Sequence, residues 1–412
     1  MSLNENELLE LIKQEADTRS RGLKKQGTTH TNQSDTLGEL PFRIVGGASK
    51  DFYGATLCGK TLSTKGLQGI TSYEPSELYI TVKSGTPFTE VESVLAQQGQ
   101  YLPFEAPNFN GLATVGGVIA AGLSGPARAT SGGVRDYVLG LKVINGRGEH
   151  LSFGGQVIKN VAGYDVSRVF SGSFGTLGLI TEVSLKVLPT ALAEKTLVLQ
   201  ITQQGAIELL NAWGATALPL NASVWQNFDV HGNTNSDAKH LGGQLWVRLR
   251  GAIAAVKSGE EKVFNQCATL GLPVEAVESS LAKDFWTGHK NQTHHFYQVS
   301  SAERECLWRL SVPQKTHELK LKHIDPTAAQ CIEWNGAQRW LWAASEDSDL
   351  IKSCASSAGG HATLWRASIN RPEQDKAVGV FTAVSEVQRK IQKALQQEFD
   401  PYGMFDTGRL EI

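Results

Sequence analysis

The chain predicts an α+β protein of two lobes, on three observations. Its 412 residues exceed the ~100–200 that one compact domain usually takes. Through the first half, short β-branched stretches separated by glycine pairs alternate with a stretch of helical period. Near residue 190 the composition changes: glycine thins out after Pro189 and all nine tryptophans lie beyond it, which places a boundary between two units there.

Leu8, Leu9, Leu11 and Ile12 predict a short first helix, and the polar stretch Asp17–Gly38, rich in Thr, Ser, Lys, Asn and Gln, is expected to be a mobile linker. Phe42–Val45 and Leu78–Val82 read as strands. Thr86-Pro87 opens a helix with Phe88, Val91, Val94 and Leu95 on one face and Gly99 past its end, because proline suits the first helical position and glycine the position beyond the last. Leu139–Asn145 and Gly178–Leu188 are β-rich again. In the second unit Leu197–Thr202 and Gln244–Leu249 read as strands and Ile253–Leu270 as a helix. Val380, Val384, Val387, Ile391 and Leu395 recur at spacings of four, three, four and four, one face of a helix that Asp400-Pro401 stops. The expected organisation is residues 1–190 as the first lobe, 191–375 as a cap and 376–412 returning to brace the first lobe. No internal repeat is visible.

Charge and cysteine content narrow the function. Lys+Arg total 39 against 41 Asp+Glu, a formal charge of −2, which supplies no net field for a nucleic acid backbone or an anionic membrane. With 41% hydrophobic and 19% charged residues the chain can build a substantial core, so general disorder is excluded. The five cysteines, Cys58, Cys267, Cys306, Cys331 and Cys354, form no C-x-x-C pair and no metal-ligand spacing, so they read as reduced thiols and no metal is expected. The acid- and amide-rich N-terminus does not resemble a secretory signal, and the most apolar run, Ala113–Gly122, falls short of the ~20 residues a bilayer span needs. The expected location is the cytoplasm.

Several glycine motifs carry the chemistry. Gly54–Thr61 fits the P-loop pattern G-x-x-x-x-G-K-T, yet the polar Ser49–Tyr53 before it and the glycines Gly66 and Gly69 after it deny the strand and helix that a P-loop needs. The dinucleotide fingerprint G-x-G-x-x-G is missing from the sequence, which argues against nicotinamide held in the usual βαβ unit. Arg43–Lys50 (RIVGGASK) follows a short apolar strand, and consecutive Gly–Gly–small residues can aim several backbone N–H groups at one diphosphate or simply make a tight turn. Thr114–Pro126 (TVGGVIAAGLSGP), Ser131–Asp136, and Lys159–Asp165 leading into Gly172–Thr181 follow in order. Glycines so placed let backbone approach a flat, extended ligand.

Taken together these segments resemble the FAD-binding domain of the vanillyl-alcohol-oxidase or p-cresol-methylhydroxylase (PCMH) type. In detail the sequence resembles the FAD-binding E subunits of bacterial glycolate oxidase complexes. The resemblance rests on RIVGGASK (43–50), SYEPSEL (72–78), ATVGGVIAAGLSGP (113–126), VRDYVLG (134–140), NGRGEHLSFGG (145–155), KNVAGYDVSR (159–168), GSFGTLGLITEVSLKVLP (172–189), LWRLSVP (307–313), GHATLWR (360–366) and FDPYGMFDTGR (399–409), and spans most of residues 40–412. It implies a two-lobed α+β fold with an FAD domain and a cap. Val45, Gly46, Gly47, Ala48, Ser49 and Lys50 would cradle the FAD pyrophosphate. Thr114, Gly116, Gly117, Ala121, Ser124 and Gly125 would line the flavin and its ribityl chain, and Gly175, Gly178, Leu179 and Ile180 would meet the adenosine end. In covalent relatives a histidine in the first loop bonds the flavin; the matching residue here is Ala48, so non-covalent FAD is expected. The terminal Asp406-Thr407-Gly408-Arg409 departs from the family's Asn-Pro-Gly-Arg.

Oxidation of a 2-hydroxy acid needs a cation for the carboxylate and a base for the hydroxyl proton. Arg309, Arg339 and Arg366 each adjoin a tryptophan in the second unit; one of them could clamp a carboxylate, or each could pair with acids such as Glu305 and Glu333 or stack on the indoles. His289, His294, His295 and His361 offer a base or, in part, metal ligands, but no H-x-x-x-H spacing is present and adjacent His294 and His295 would face opposite ways on a strand. The expected catalytic set is Arg309, Arg366 and His361. Without clustered cysteines for iron–sulfur centres, electrons must leave to a partner. The resemblance supplies a D-type flavoprotein and an F-type iron–sulfur subunit, quinone as the sink, and peripheral contact with the inner membrane through them. Two readings stay open: this chain's own flavin oxidises glycolate or D-lactate-like acids, or it serves as a relay or scaffold while the partner oxidises.

Overall fold

A computed structural model describes residues 3–25, 40–155, 164–227, 242–298, 305–319, 321 and 329–410. Helix α1 (Glu5–Lys25) opens with a reciprocal cap: the Glu7 N–H donates to Asn4 Oδ1 (3.1 Å) and the Asn4 N–H to Glu7 Oε2 (2.8 Å). The helix outlasts its first two turns because Leu8, Ile12, Ala16 and Arg19 keep one buried face. Residues 17–25, expected in the linker, are therefore helical, and residues 26–38 of that stretch lie outside the described residues. Arg19 donates to the carbonyls of Leu40 (3.0 Å) and Gly403 (3.0 Å), so the helix ties the start of the first lobe to the C-terminal segment.

The first lobe begins with a parallel pair, β1 (Phe42–Val45) and β2 (Lys60–Ser63). A five-stranded antiparallel sheet follows, made of β3 (Ile70–Glu74), β4 (Tyr79–Lys83), β6 (Val138–Ile144), β7 (His150–Gly154) and β8 (Leu179–Lys186) in the order β3-β4-β8-β6-β7. Helices α2 (Phe88–Gln97) and α3 (Val115–Ala121) cover it; Phe88, Val91, Leu95, Val115, Val118 and Ile119 pack on Ile80, Val82, Val143 and Val183 in one core. The short strands β5 (Gln100–Tyr101) and β9 (Leu188–Pro189) pair at its edge, and α4 (Arg128–Ser131) lies beside the cap. Residues 159–163 of the KNVAGYDVSR motif are outside the described residues.

The cap is an eight-stranded antiparallel sheet built from two halves. In the first, β10 (Ala193–Gln200), α5 (Gln203–Gly214), β11 (Leu220–Gln226), β12 (Gln244–Gly251), α6 (Ile253–Leu270) and β13 (Val274–Ala276) give the strand order β13-β10-β12-β11. After α7 (Ser279–Asn291), the second half runs β14 (Glu305–Ser311), β15 (Gln330–Glu333), β16 (Gln338–Ala344), α8 (Ser348–Ser357) and β17 (His361–Arg366), in the order β15-β16-β14-β17. Numbered within each half and read from its outer edge inward, both give 4-1-3-2, and they meet edge to edge where Trp225 of β11 faces Ile332 of β15. This structural repeat leaves no trace in the residue order. One face of the sheet packs on α5, α6 and α8. The other turns an aromatic layer, including Trp246, Trp340, Trp342 and Trp365, toward Tyr53, Ala121 and Leu123 of the first lobe.

The C-terminal apolar series is split. Val380 is buried in the cap core, while α10 (Glu386–Phe399), which follows the short α9 (Pro372–Lys376), starts only at Glu386. Phe399, Met404 and Phe405 enter cores of the first lobe, but Val387 and Ile391 remain 67% and 56% exposed.

Candidate functional site

A cleft enclosing about 680 Å³, open space included, runs along the first lobe where three backbone segments converge. Strand β1 delivers the first, residues 46–51. The second enters α3, where the Thr114 hydroxyl accepts from the Gly117 N–H (3.4 Å). A Cβ on Gly46 would overlap Thr114 Oγ1, and one on Gly47 would overlap the Leu112 carbonyl oxygen. The glycine pair thus lets the loop lie flat on the 112–117 segment. The third segment, residues 174–180, turns through left-handed backbone at Gly175 (φ +81°) and Gly178 (φ +141°), where a Cβ would stand 2.7 Å from the Ile144 carbonyl.

Two cations close the cleft. Lys50, 7% exposed, donates only to Ser49 Oγ (3.2 Å) among the described residues and lies 5.3 Å from the Phe109 ring centroid. Burial, then the charge of Arg409, pushes its pKa down to about 8, the signature of a cation enclosed without an anion. Arg409 comes from the C-terminal segment; it donates to the Tyr53 carbonyl from Nε (3.1 Å), to the Lys50 carbonyl from Nη2, and lies 4.8 Å over the Phe174 ring. Ser84, fully buried, lines the same cleft with its Oγ lacking a hydrogen-bond partner among the described residues. Buried polar atoms are rarely left so. The cleft therefore offers backbone, one orphan hydroxyl and two cations to an extended anionic ligand.

Of the residues expected at the cofactor, Val45, Gly46, Gly47, Ala48, Ser49 and Lys50 line this cleft, as do Thr114, Gly116, Gly117 and Ala121, and Gly175, Gly178 and Ile180. Leu179 does not: strand alternation turns it into the core shared with Leu8 and Ile12. Ser124 and Gly125 line a second cavity instead, where Ser124 Oγ accepts from the Val134 N–H (3.3 Å) and the Gly125 carbonyl from Trp334 Nε1 (2.9 Å). Sequence reasoning missed Ser84 and Thr64, which sit in no quoted glycine motif, and Phe174, passed over between Gly172 and Gly175, and it left Arg409 aside because its tail departs from the family pattern.

The second cavity, small and enclosing about 300 Å³ only with open space included, lies between Ser124 and Gly125 of the first lobe and the aromatic layer of the cap. Of the expected catalytic residues, Arg309 reaches it. Its guanidinium lies 4.9 Å over Trp365 and 5.7 Å over Tyr53, and it forms no hydrogen bond or ion pair among the described residues. Arg366 is spent elsewhere: it donates to the Tyr297 carbonyl (2.7 Å) and covers the Phe52 ring. His361, at the start of β17 opposite Ser311, lines neither cavity; burial and the Arg309 charge lower its pKa. Arg339 binds the carbonyls of Gly336 (3.1 Å) and His317 (3.0 Å), a structural use.

Glu333, buried on β15, lines the cavity as well; its Oε2 accepts from Gln338 Nε2 (2.7 Å) and Trp340 Nε1 (2.6 Å). Burial raises its pKa to about 7 against the pull of those donors and of Arg309. His294 and His295 do not face opposite ways: they sit at a 3₁₀ turn with rings 4.0 Å apart, and His294 stacks on His289 at 4.3 Å.

Between the lobes, Arg248 donates to Glu105 Oε1 (2.5 Å), Ala127 N–H donates to Glu105 Oε2 (3.1 Å), and Asn108 N–H donates to Asn291 Oδ1 (3.1 Å). Among the described residues no helix is long and apolar enough to cross a membrane.

Comparison with known proteins agrees with this geometry. Residues 38–154 match the FAD binding domain family. The chain is 37% identical over 372 residues to the glycolate oxidase subunit GlcE of Escherichia coli (strain K12), covering 90% of this chain and 93% of that protein. It is 34% identical over 152 residues to the glycolate oxidase subunit GlcD of Bacillus subtilis (strain 168), covering 35% of this chain and 32% of that one. A substrate-bound p-cresol methylhydroxylase superposes with a TM-score of 0.64 at 14% identity, covering 97% of this chain and 87% of that one. The fold is thus of the p-cresol methylhydroxylase type, with an FAD-binding first lobe.

Proposed function

Because this chain belongs to the family of the glycolate oxidase E subunits, represented by GlcE of Escherichia coli, we propose that it is the FAD-binding subunit of a complex that oxidises glycolate to glyoxylate, and D-lactate-like 2-hydroxy acids with it. The observation that carries this reading is the cleft itself: glycine-lined backbone, the buried Lys50 with no anion beside it and the Ser84 Oγ with no partner among the described residues fit an extended, doubly anionic dinucleotide. The amides of residues 46–50 and Lys50 hold the diphosphate, and Ser84 meets a polar atom of the ligand. Ala48 has no group able to bond a flavin carbon, so the cofactor is held non-covalently. FAD bound there supplies the two-electron acceptor.

Arg309 is the cation we assign to the substrate carboxylate, since its guanidinium borders the second cavity and forms no ion pair or hydrogen bond among the described residues. Electrons then pass to a D-type flavoprotein and an F-type iron–sulfur subunit and on to quinone, which brings the complex to the membrane surface.

The test is anaerobic addition of glycolate to the purified chain and to the assembled complex, each with its flavin. Bleaching of the flavin band in both supports oxidation by this chain. A spectrum that bleaches only in the complex assigns oxidation to the partner and leaves this chain as a relay. Failure of the chain to retain FAD in either form overturns the reading.

A further inference from the structure

The polar groups of the second cavity form a connected set that the assignment above does not use. His289 on α7 is 2% exposed. Its Nδ1 lies 3.3 Å from the Tyr297 hydroxyl, and its Nε2, buried at the cavity, has no hydrogen-bond partner among the described residues. Tyr297 stands in turn beside Glu333 and Cys331, near enough for both to bond its hydroxyl, and burial with these neighbours holds its pKa well above 10. An orphan nitrogen, an unpaired guanidinium and a buried carboxylate around one small cavity call for a ligand that carries both an anionic group and a hydroxyl.

We propose that this cavity binds a small 2-hydroxy carboxylate and that His289, Tyr297 and Glu333 form the path by which its hydroxyl proton leaves. The proposal rests on the flavoprotein reading above. Arg309 takes the carboxylate and His289 Nε2 accepts from the hydroxyl. On oxidation the Cα–H bond breaks with its electron pair, for which FAD held in the cleft would supply the two-electron acceptor. The O–H bond breaks and its proton goes to His289 Nε2. The Nδ1 proton passes to the Tyr297 oxygen and the Tyr297 proton to the Glu333 carboxylate, so the products are the 2-oxo acid and a neutral Glu333. His289 contacts the ligand; Tyr297 and Glu333 act through it as positioning and proton-storing residues.

Burial places Glu333 near 7, against Arg309 from β14 and the donors on β16, with Glu105 of the first lobe adding to the rise. Burial and the His294 and His295 rings keep His289 neutral. A carboxylate ligand entering beside Glu333 raises its pKa further, so binding near pH 7 takes up a proton and weakens as pH rises above 7, whereas the proton path needs the ionised carboxylate, so flavin reduction within the complex speeds up as pH rises.

The test is isothermal titration of glycolate into the full-length, FAD-loaded, dithionite-reduced chain, which cannot turn over, in two pH 7 buffers of different ionisation enthalpy. Saturable binding with uptake of about half a proton is expected. Glu333→Gln removes the uptake while keeping affinity at pH 6 within about threefold, and His289→Asn weakens binding about tenfold. Tyr297→Phe retains binding and uptake but slows anaerobic flavin reduction by glycolate about a hundredfold. Uptake that persists in Glu333→Gln, or reduction at the normal rate in Tyr297→Phe, overturns the path. An FAD-loaded chain that binds no glycolate overturns the site while leaving the FAD reading intact; loss of FAD itself is the failure of that reading.

Discussion

Gly47 lies so close to Leu112 that any Cβ on the glycine would overlap the leucine carbonyl oxygen. The clash is with the protein's own backbone, so Gly47→Val should fail by lifting the 46–51 loop off its support rather than by filling ligand space. Overpacking of this kind costs ~1–3 kcal/mol or more. The variant should lose both FAD and several degrees of melting temperature. Gly117 is the contrast: a Cβ there meets Thr114 Oγ1 at 3.3 Å and Lys50 Nζ at 3.9 Å. Gly117→Ala should keep the fold and weaken only FAD retention, read as flavin absorbance per chain after gel filtration.

Lys50 predicts a pH dependence of cofactor binding. Its pKa of about 8 in the free cleft must rise once a diphosphate sits beside it. Its contribution is then fully present below 8 and lost as pH increases above it. Lys50→Ala should weaken FAD by ~1.5–3 kcal/mol, roughly 10- to 100-fold. Lys50→Arg should restore much of the affinity without the fall above pH 8. Fluorescence titration of FAD between pH 6.5 and 9.5 reads all three.

The seam between the lobes hangs on Glu105 and Arg248. Burial pushes Glu105 up, but Arg248 and Arg250 overcome it and hold its pKa below 4.5, so the stability it contributes is present above 4.5 and lost as pH falls through the folded value. Arg248→Met strands a buried carboxylate and should cost ~3–5 kcal/mol at pH 7. Denaturant unfolding at pH 7 and pH 4 should show a smaller gap between wild type and variant at the lower pH.

Arg309 and Arg366 should separate cleanly. Arg309→Lys, which loses a planar fork but keeps the charge, should weaken glycolate about tenfold with little change in melting temperature. Arg366→Lys should lower the melting temperature, because the Tyr297 carbonyl loses its 2.7 Å donor. A substrate effect at position 366 as large as that at 309 would contradict the placement.

How far the sequence could be read depends on the kind of signal. Absent side chains are themselves information, so the loop at Gly46, the α3 entry at Gly116 and the turn at Gly178 were legible from residue types alone. Leu179 was misplaced because a motif was taken whole where a strand alternates faces. Contacts between distant residues left no local mark: Arg19 holds the Gly403 carbonyl, which turns an apparent linker into helix. His289, Tyr297 and Glu333 come from α7, the turn after it and β15. The apolar series from Val380 to Leu395 was legible only in part: Val387, Ile391 and Leu395 lie on α10 and Leu395 packs on the first-lobe core, but Val380 had a place waiting in the cap.

The central claim, that a side-chain-poor cleft with Lys50 at its edge holds FAD without a covalent bond, meets its most direct test in acid precipitation of the FAD-saturated chain. The account predicts about one flavin per chain, with all of the yellow colour in the supernatant. Flavin retained in the washed pellet, or a saturated chain that carried none, would contradict it.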